Sequence, residues 1–419
     1  MLARRRCLRS GLYRKDLHSN LVTEELLPLL PTSALEGIRA EQQVAVLGLL
    51  MRREAELFLE DPRGRVQLVA AAFPAPADFF MATGSLVVAR GHYRNSTLHL
   101  VGLDLPPAEK REALRSDVGA SADLFGLAPP DLPAAELAGQ QAVRSVILFL
   151  AHVHLDAPAT LQRLAFFFQR MQERSEEDLA DTTIVLIGNF FSAPLREADA
   201  SHLPDVLDDA EQLRLAFDSL AGCIATNGPT VAQQAHFVLL PGPTDCTSLQ
   251  GFLPQPPLVG DHPKTLRARV RRVTLAPNPA RLRFCAHEMV VCRQEFLRGM
   301  QEGQRQLLDG LAPTPSAPPA APPAATATSF EKIAKTTIDE AHLAPNTASS
   351  NATVLWRLDH HLRLPLLPHT LLLCDTTEPW ECFYKGVRVV NPGSFAVNAT
   401  FLWYTPSDGE CSLSRLDGT

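Results

Sequence analysis

Three short, unbroken apolar runs, each ending in a turn signature and separated by helix-like stretches, constrain this chain more than any other feature. They are Ser145 to Val153 (SVILFLAHV), Thr182 to Phe190 (TTIVLIGNF) and Ala235 to Pro243 (AHFVLLPGP). Apolar continuity over that length predicts strands buried on both faces, and hence a mainly parallel sheet covered by helices. The segments between them agree. Ala159 to Arg174 carries a helical stripe of Leu161, Leu164, Ala165 and Phe168, and residues 210–222 read as a second helix. Strand, helix, strand, helix, strand predicts an α/β layer. VRRVTL, LRFCAHEMVVC, HTLLLCD and VRVVNPGSF add strand material towards the carboxyl end.

Upstream the style is different. Residues 20–55 read as helical from Leu26, Leu27, Leu29 and Leu30 and from Val44, Val46, Leu47, Leu49 and Leu50, punctuated by Pro28 and Pro31. In LFLEDPRGRVQLV, Asp61-Pro62-Arg63-Gly64 separates two short apolar runs, which predicts a hairpin. Strand candidates at 84–93 and 96–105 flank the turn-prone Arg94-Asn95. Short strands at about ten-residue spacing predict a small β-barrel or sandwich. The expected organisation is an amino-terminal helical or extended segment over 1–40 and a barrel over 41–106. A linker or surface loop rich in proline follows over 107–142, and an α/β domain fills 143–419. Within that domain, residues 312–329 (APTPSAPPAAPPAATATS) hold too few large apolar groups to offset their ordering entropy, so a flexible insertion is expected there.

Composition narrows the function. At 419 residues the chain is long enough for two or three domains of about 150 residues each. Its formal net charge of −7 excludes a whole-chain basic field that would draw it onto DNA, so any nucleic-acid contact must be local. Eight cysteines, at 7, 223, 246, 285, 292, 374, 382 and 411, form no CxxC pair, which argues against zinc ribbons and disulfide frameworks and favours a reducing compartment. No apolar run approaches the roughly 20 residues that span a bilayer. The arginine-rich start, MLARRRCLRSGLYRK, fits a solvated basic tail better than a transit peptide or an import patch.

In open α/β sheets ligands bind beyond the carboxyl ends of the strands, so the chemistry is sought there. The strand-end loops carry His152, His154 and Asp156; then Gly188 and Asn189; then Gly242, Pro243, Thr244 and Asp245; and finally Asp375, Thr377 and Asn391-Pro392-Gly393. This layout resembles the calcineurin-like metallophosphoesterases, whose two divalent metals need a bridging carboxylate and several imidazoles. Here almost every ligand place is altered. His152 stands where the first aspartate belongs, His154 keeps its place, and Asn189 replaces the bridging carboxylate with a neutral amide. Pro243 and Thr244 take the place of the Asn-His pair, while Asp375 and Thr377 fall on the last two histidine positions. A working two-metal centre is not expected. HVHLD also resembles the opening of the zinc-binding motif of metallo-β-lactamase-like hydrolases, but Ala157 stands where its last histidine belongs.

Erased metal loops behind a small β-barrel point to a resemblance that accounts for the losses. Phe58-Leu59-Glu60-Asp61-Pro62-x-Gly64-x-Val66-x-Leu68 is similar to the oligonucleotide-binding-fold signature of the B subunits of eukaryotic replicative DNA polymerases, in their epsilon branch. FVLLPGPTD (237–245) followed by LPQPPL (253–258) is similar to a further block of that branch. Other blocks match in order: Gly188-Asn189-Phe190 with Ser192-Ala193-Pro194; Asn278-Pro279-Ala280-Arg281 running into Phe284, Cys285 and Glu288; His342-Leu343 with Pro345; and Asn391 to Phe395. The small amino-terminal helical domain of that branch is expected to be absent or reduced, and the 312–329 insertion is extra.

The resemblance implies an α+β multidomain chain, in which an oligonucleotide-binding-fold (OB-fold) β-barrel precedes an α/β calcineurin-like phosphoesterase fold without its metal site. It implies a non-catalytic accessory subunit of the DNA polymerase epsilon holoenzyme, with no cofactor, acting in the nucleus and away from membranes. The implied partners are the carboxy-terminal region of the catalytic subunit and components of the replisome helicase, with DNA contact secondary. Glu60, Asp61, Pro62, Gly64, Gly188, Gly242, Asp245, Asn391, Pro392 and Gly393 are then family-motif positions that hold shape. The alternative from another class is a metal-dependent phosphoesterase or zinc hydrolase built on His152, His154, Asp156, Asp245 and Asp375. The basic run Lys264, Arg267, Arg269, Arg271 and Arg272 reads as a solvated face, and Asp359, His360 and His361 as surface or second-layer packing.

Overall fold

The computed structural model describes residues 7–8, 10, 12–14, 26–39, 42–70, 76–111, 145–193, 209–245, 251–284, 287–309, 327–345 and 353–416. Most of the expected 107–142 linker, the 312–329 insertion up to residue 326, Pro194, Cys246 and Cys285 lie outside them, as does most of the arginine-rich start.

The first unit is built from β1 (Tyr13–Arg14), β2 (Leu27–Leu30), β3 (Gln43–Arg53), β4 (Glu56–Asp61), β5 (Gly64–Val69), β6 (Leu86–Arg94) and β7 (Thr97–Asp104). β3, β4, β5, β7 and β6 pair in that order, and β6 returns to β3, closing a five-stranded Greek-key barrel. β1 and β2 add to the outside through parallel pairings. The helical reading of residues 20–55 therefore fails over β2 and β3. Its cause is burial on both faces of β3. Val44, Val46 and Leu50 fill the barrel, while Ala45 on the opposite face packs with Tyr13, Leu29 and Val88. A strand covered on both sides loses its polar alternation and imitates a helix stripe. Gly48 marks the strand more reliably, since a Cβ there would stand 2.6 Å from the Glu60 carbonyl oxygen.

The second unit runs β8 (Val146–Ala151), α1 (Pro158–Gln172), α2 (Glu176–Ala180), β9 (Thr182–Ile187), α3 (Asp209–Asn227), α4 (Pro229–Gln234), β10 (His236–Leu240), β11 (Phe252–Leu253), α5 (Lys264–Arg269) and β12 (Arg272–Leu275). It continues with β13 (Ala280–Phe284), β14 (His287–Arg293), α6 (Phe296–Asp309), α7 (Ser329–Asp339), β15 (Thr353–Val354), β16 (Thr370–Cys374), β17 (Trp380–Tyr384), β18 (Val387–Asn391), α8 (Phe395–Asn398), β19 (Thr400–Thr405) and β20 (Glu410–Arg415). β12-β10-β9-β8 are parallel, as the apolar runs predict, but β19 and β20 extend that sheet antiparallel. β13-β14-β16-β18-β17 form a second, mixed sheet.

The two sheets stack through a shared apolar layer. Ile147, Phe149, Val185 and Val238 of the first face Met289, Val291, Leu372 and Val390 of the second. The alternate residues of β8, Val146, Leu148 and Leu150, point outward under Leu164, Phe168 and Phe217 of α1 and α3. α6 and α7 cover the second sheet through Phe296, Met300, Ile333 and Ile338. With both faces of both sheets buried, each large side chain contributes about 1.5–3 kcal/mol. α7 opens on a capping box, in which Thr328 and Glu331 exchange side-chain and backbone hydrogen bonds.

α6 and α7 also fasten the barrel. Leu307 enters the barrel core, and the Thr336 hydroxyl and the Asp339 carboxylate accept from the backbone N–H groups of Phe80 and Ala108 at 2.9 and 3.1 Å. Among the described residues no helix is long and apolar enough to cross a membrane.

Candidate functional site

Because both sheets are parallel at their centres, β8, β9, β10, β14, β16 and β18 all end at one edge of the sandwich. That edge gathers nearly every strand-end residue singled out above. Phe190 N–H donates to Asp245 Oδ1 and Gly242 N–H to Asp245 Oδ2, both at 2.7 Å. The Asp245 side chain is fully buried, and burial pushes its carboxyl up to about 7 against the pull of those two amides and of Arg293. The loops touch so closely that a Cβ on Gly188 would lie 2.0 Å from Asp245 Oδ2, and one on Gly242 would lie 2.0 Å from Asn189 Oδ1. Only glycine permits this approach. Asn189 is half-buried beneath Gly242, and Pro243 and Thr244 stand half-buried at the rim.

From the second sheet, Asp375 Oδ2 accepts from Leu297 N–H at 2.8 Å and Oδ1 from Thr376 N–H at 2.7 Å. Burial, then the neighbouring Glu295 charge, raises its carboxyl. Asn391 is fully buried and works as a staple. Its Oδ1 accepts from the backbone N–H groups of Asp375 and Gly393, both at 3.1 Å, and its Nδ2 donates to Thr377 Oγ1 at 3.0 Å and to the Glu378 carbonyl at 3.2 Å. Thr377 is thus bound into the turn. Ser394, which follows the Asn391-Pro392-Gly393 turn, caps α8.

His152 is buried completely with φ at +57°, a left-handed conformation that costs a non-glycine residue about 1–2 kcal/mol. Burial first, then the charges of Arg293 and His154, hold its imidazole well below the usual range and therefore neutral. His154 is half-buried with its ring 6.4 Å from that of His152, and burial and Arg293 lower it too. Asp156 turns away, accepting from Ser192 N–H at 3.0 Å and from Ser192 Oγ at 2.5 Å.

The residue that organises this edge is one the sequence reading passed over. Arg293, the last residue of β14, is 1% exposed. Its Nη2 pairs with Glu295 Oε1 at 2.7 Å, while Nε and Nη1 make no hydrogen bond among the described residues. Its charge is felt at His152, His154, Asp245, Glu295 and Asp375. Burial works against ionisation of Glu295, but Arg293 and the hydroxyl of Thr376, which donates to Glu295 Oε2 at 2.5 Å, outweigh it and lower its carboxyl. The backbone of Arg293 is clamped by Asn278, whose Oδ1 accepts from Arg293 N–H and whose Nδ2 donates to the Arg293 carbonyl, both at 2.9 Å. The Asn278-Pro279-Ala280-Arg281 block therefore has a structural purpose beside this edge. Reading the strand-end rule onto the run Met289 to Cys292 would have pointed to Arg293.

A two-metal centre needs anionic donors aimed at shared cations. Here a guanidinium lies among the strand ends, both buried carboxylates are engaged by backbone amides, and the bridging place holds an amide. Among the described residues no three His, Cys, Asp or Glu side chains converge to hold a metal. The residues present do not fit a pair of divalent ions.

Outside this edge, the family-motif positions of the barrel form one turn. Asp61 accepts from Thr32 N–H and Oγ1 and from the N–H groups of Arg63 and Gly64, at 2.7–3.0 Å. Burial opposes its charge, but these bonds outweigh it and lower its carboxyl. Glu60 and Pro62 are exposed. Asp359 is buried between His342 and Arg363, at 2.9 and 2.7 Å, which makes it a packing residue; His360 and His361 are exposed, with their tilted rings 4.1 Å apart.

The family model for the B subunits of DNA polymerases alpha and epsilon matches residues 147–382, and that for the OB-fold domain of DNA polymerase epsilon subunit 2-like proteins matches residues 1–107. The chain is 26% identical over 376 residues to the DNA polymerase epsilon B subunit of Arabidopsis thaliana, covering 88% of this chain and 66% of that protein. It is 27% identical over 380 residues to DNA polymerase epsilon subunit 2 of Homo sapiens (89% and 65%), and 25% identical over 419 aligned residues to the DNA polymerase epsilon B subunit of Saccharomyces cerevisiae (88% and 58%). It thus spans between 58% and 66% of the length of these relatives. With one family model covering more than half of it and a second covering the barrel, the chain belongs to the family of DNA polymerase alpha/epsilon B subunits.

Proposed function

We propose that this chain is a non-catalytic accessory subunit of the DNA polymerase epsilon holoenzyme. It binds the carboxy-terminal region of the catalytic subunit and supports chromosomal replication in the nucleus, where it ties the polymerase to components of the replisome helicase; DNA contact is secondary. The names of its relatives support the polymerase assignment. The observation that carries the non-catalytic part is Arg293, a buried cation set among loops whose two buried aspartates each accept from two backbone N–H groups. A cation there disfavours binding of the divalent ions that would activate water, which supports the non-catalytic reading. It is suited to presenting a fixed surface to another protein, and the positions His152, His154, Asn189, Pro243, Thr244, Asp375 and Thr377 are remnants of a metal site.

The test is co-expression of the full chain with the carboxy-terminal region of the epsilon catalytic subunit, followed by size-exclusion chromatography with light scattering. A stoichiometric complex is expected. Failure to associate, or association only with the equivalent region of the alpha or delta polymerase, overturns the assignment.

A further inference from the structure

The basic run of residues 264–272 has no role in the strand-end edge. Lys264, Arg267, Arg269 and Arg271 are all exposed, and none makes an ion pair or side-chain hydrogen bond among the described residues. Arg272 differs, because its guanidinium is committed to the carbonyls of Ala180 and Gln234. The four free cations sit on rigid ground. Leu266 and Val270, interleaved with them, are buried in the core beneath α5, and β12 continues directly as the edge strand of the first sheet. Lys264 and Arg267, three residues apart on α5, stand at a spacing at which like charges repel, whereas Arg271 lies beyond the helix end, after the extended Val270. Asp261 is the one carboxylate in the adjoining turn. In a chain whose net charge is −7, this is a local positive surface held in place without an internal counter-charge.

We infer that Lys264, Arg267, Arg269 and Arg271 form a docking surface for the phosphate backbone of duplex DNA. Three of the four are arginines, whose planar forks match phosphate oxygens in pairs. Between them lie only Thr265, the small Ala268 and two buried anchors, and the exposed Val259 in the turn before α5 is one aliphatic side chain rather than the aromatic cluster on which a protein interface depends. It also lacks rings on which unpaired bases could stack, which sets single strands aside. What it offers is mainly charge, and a duplex presents about six phosphates over each 10 Å or so of its axis. Contact of this kind is independent of sequence and positions the protein on the duplex. The inference rests on the accessory-subunit reading only in taking DNA to be close at hand.

The experiment is fluorescence anisotropy of a labelled duplex of about 20 base pairs titrated with the full chain across a salt series. Four phosphate contacts predict a slope of log K against log salt near −3.6, falling by about 1.8 in R267A/R271A and to near zero in K264A/R267A/R269A/R271A. The substituted side chains are exposed, so unchanged thermal unfolding of the variants shows that folding is intact. Equal binding by the fourfold variant, or no binding by the parent chain at low salt, overturns the inference and leaves a solvated face. Tighter capture of polyglutamate than of duplex also overturns it and reassigns the patch to an acidic protein segment. The fourfold variant should still form the complex with the catalytic subunit. A variant that keeps that complex without any change in DNA binding refutes this inference alone, whereas loss of the complex in the parent chain refutes the functional reading.

Discussion

Replacing Arg293 by methionine keeps an unbranched apolar stem and removes the guanidinium and its charge. In the parent, the guanidinium is 1% exposed, bonds Glu295 at 2.7 Å and acts on Asp245 and Asp375 as well. Removing one partner of a buried ion pair costs about 3–5 kcal/mol, most of it from the charge left behind. The sign of the pH dependence follows from proton counting. Without the cation, Glu295, Asp375 and Asp245 hold protons to higher pH than in the parent, and His152 and His154 protonate more readily, while the unfolded chains are alike. The folded variant therefore gains protons relative to the folded parent as pH falls, and its deficit shrinks. Glu295, whose carboxyl is lowered in the parent, supplies stability that is present at neutral pH and lost in acid, which works in the same direction. Urea unfolding of parent and R293M at about pH 8 and about pH 5 should show the full deficit at the higher pH and a deficit smaller by at least about 1 kcal/mol at the lower. R293K, which keeps the charge and loses the fork, should fall between. Equal deficits at both pH values would mean that Arg293 matters only for packing, and the electrostatic account of this edge would fail.

Two further substitutions probe the same edge. Gly242→Ala places a Cβ 2.0 Å from Asn189 Oδ1 and 2.7 Å from its backbone nitrogen, so the loops must part; a loss of about 1–3 kcal/mol is expected, and an unchanged unfolding midpoint would show that they were never in contact. Asn391→Ala strips acceptors from two buried N–H groups and should cost about 3 kcal/mol in denaturant unfolding, with faster amide exchange at Asp375 and Gly393; exchange at the parent rate would refute its role as a staple.

Where burial was simple, the fold could be read from the sequence. β8, β9 and β10 are continuous apolar runs because helices and a second sheet cover them, and the period change to α1 is visible in Leu161, Leu164 and Phe168. β3 deceived for the same reason that it is stable, since both of its faces are packed and its alternation is erased. The strand-end residues after β8, β9, β10, β16 and β18 are legible from the apolar runs that precede them, and most of them lie at one edge. Their meaning depended on Arg293, which belongs to a strand whose end was not inspected. Its importance comes from being buried, and burial of a single charged side chain is not written in local spacing.

The central claim, that this edge holds loops rather than ions, is tested most directly by isothermal titration of the full chain with manganese alongside a generic phosphodiester assay. The account predicts no stoichiometric binding and no turnover. Two equivalents of manganese bound, with hydrolysis abolished by H154A, would contradict it.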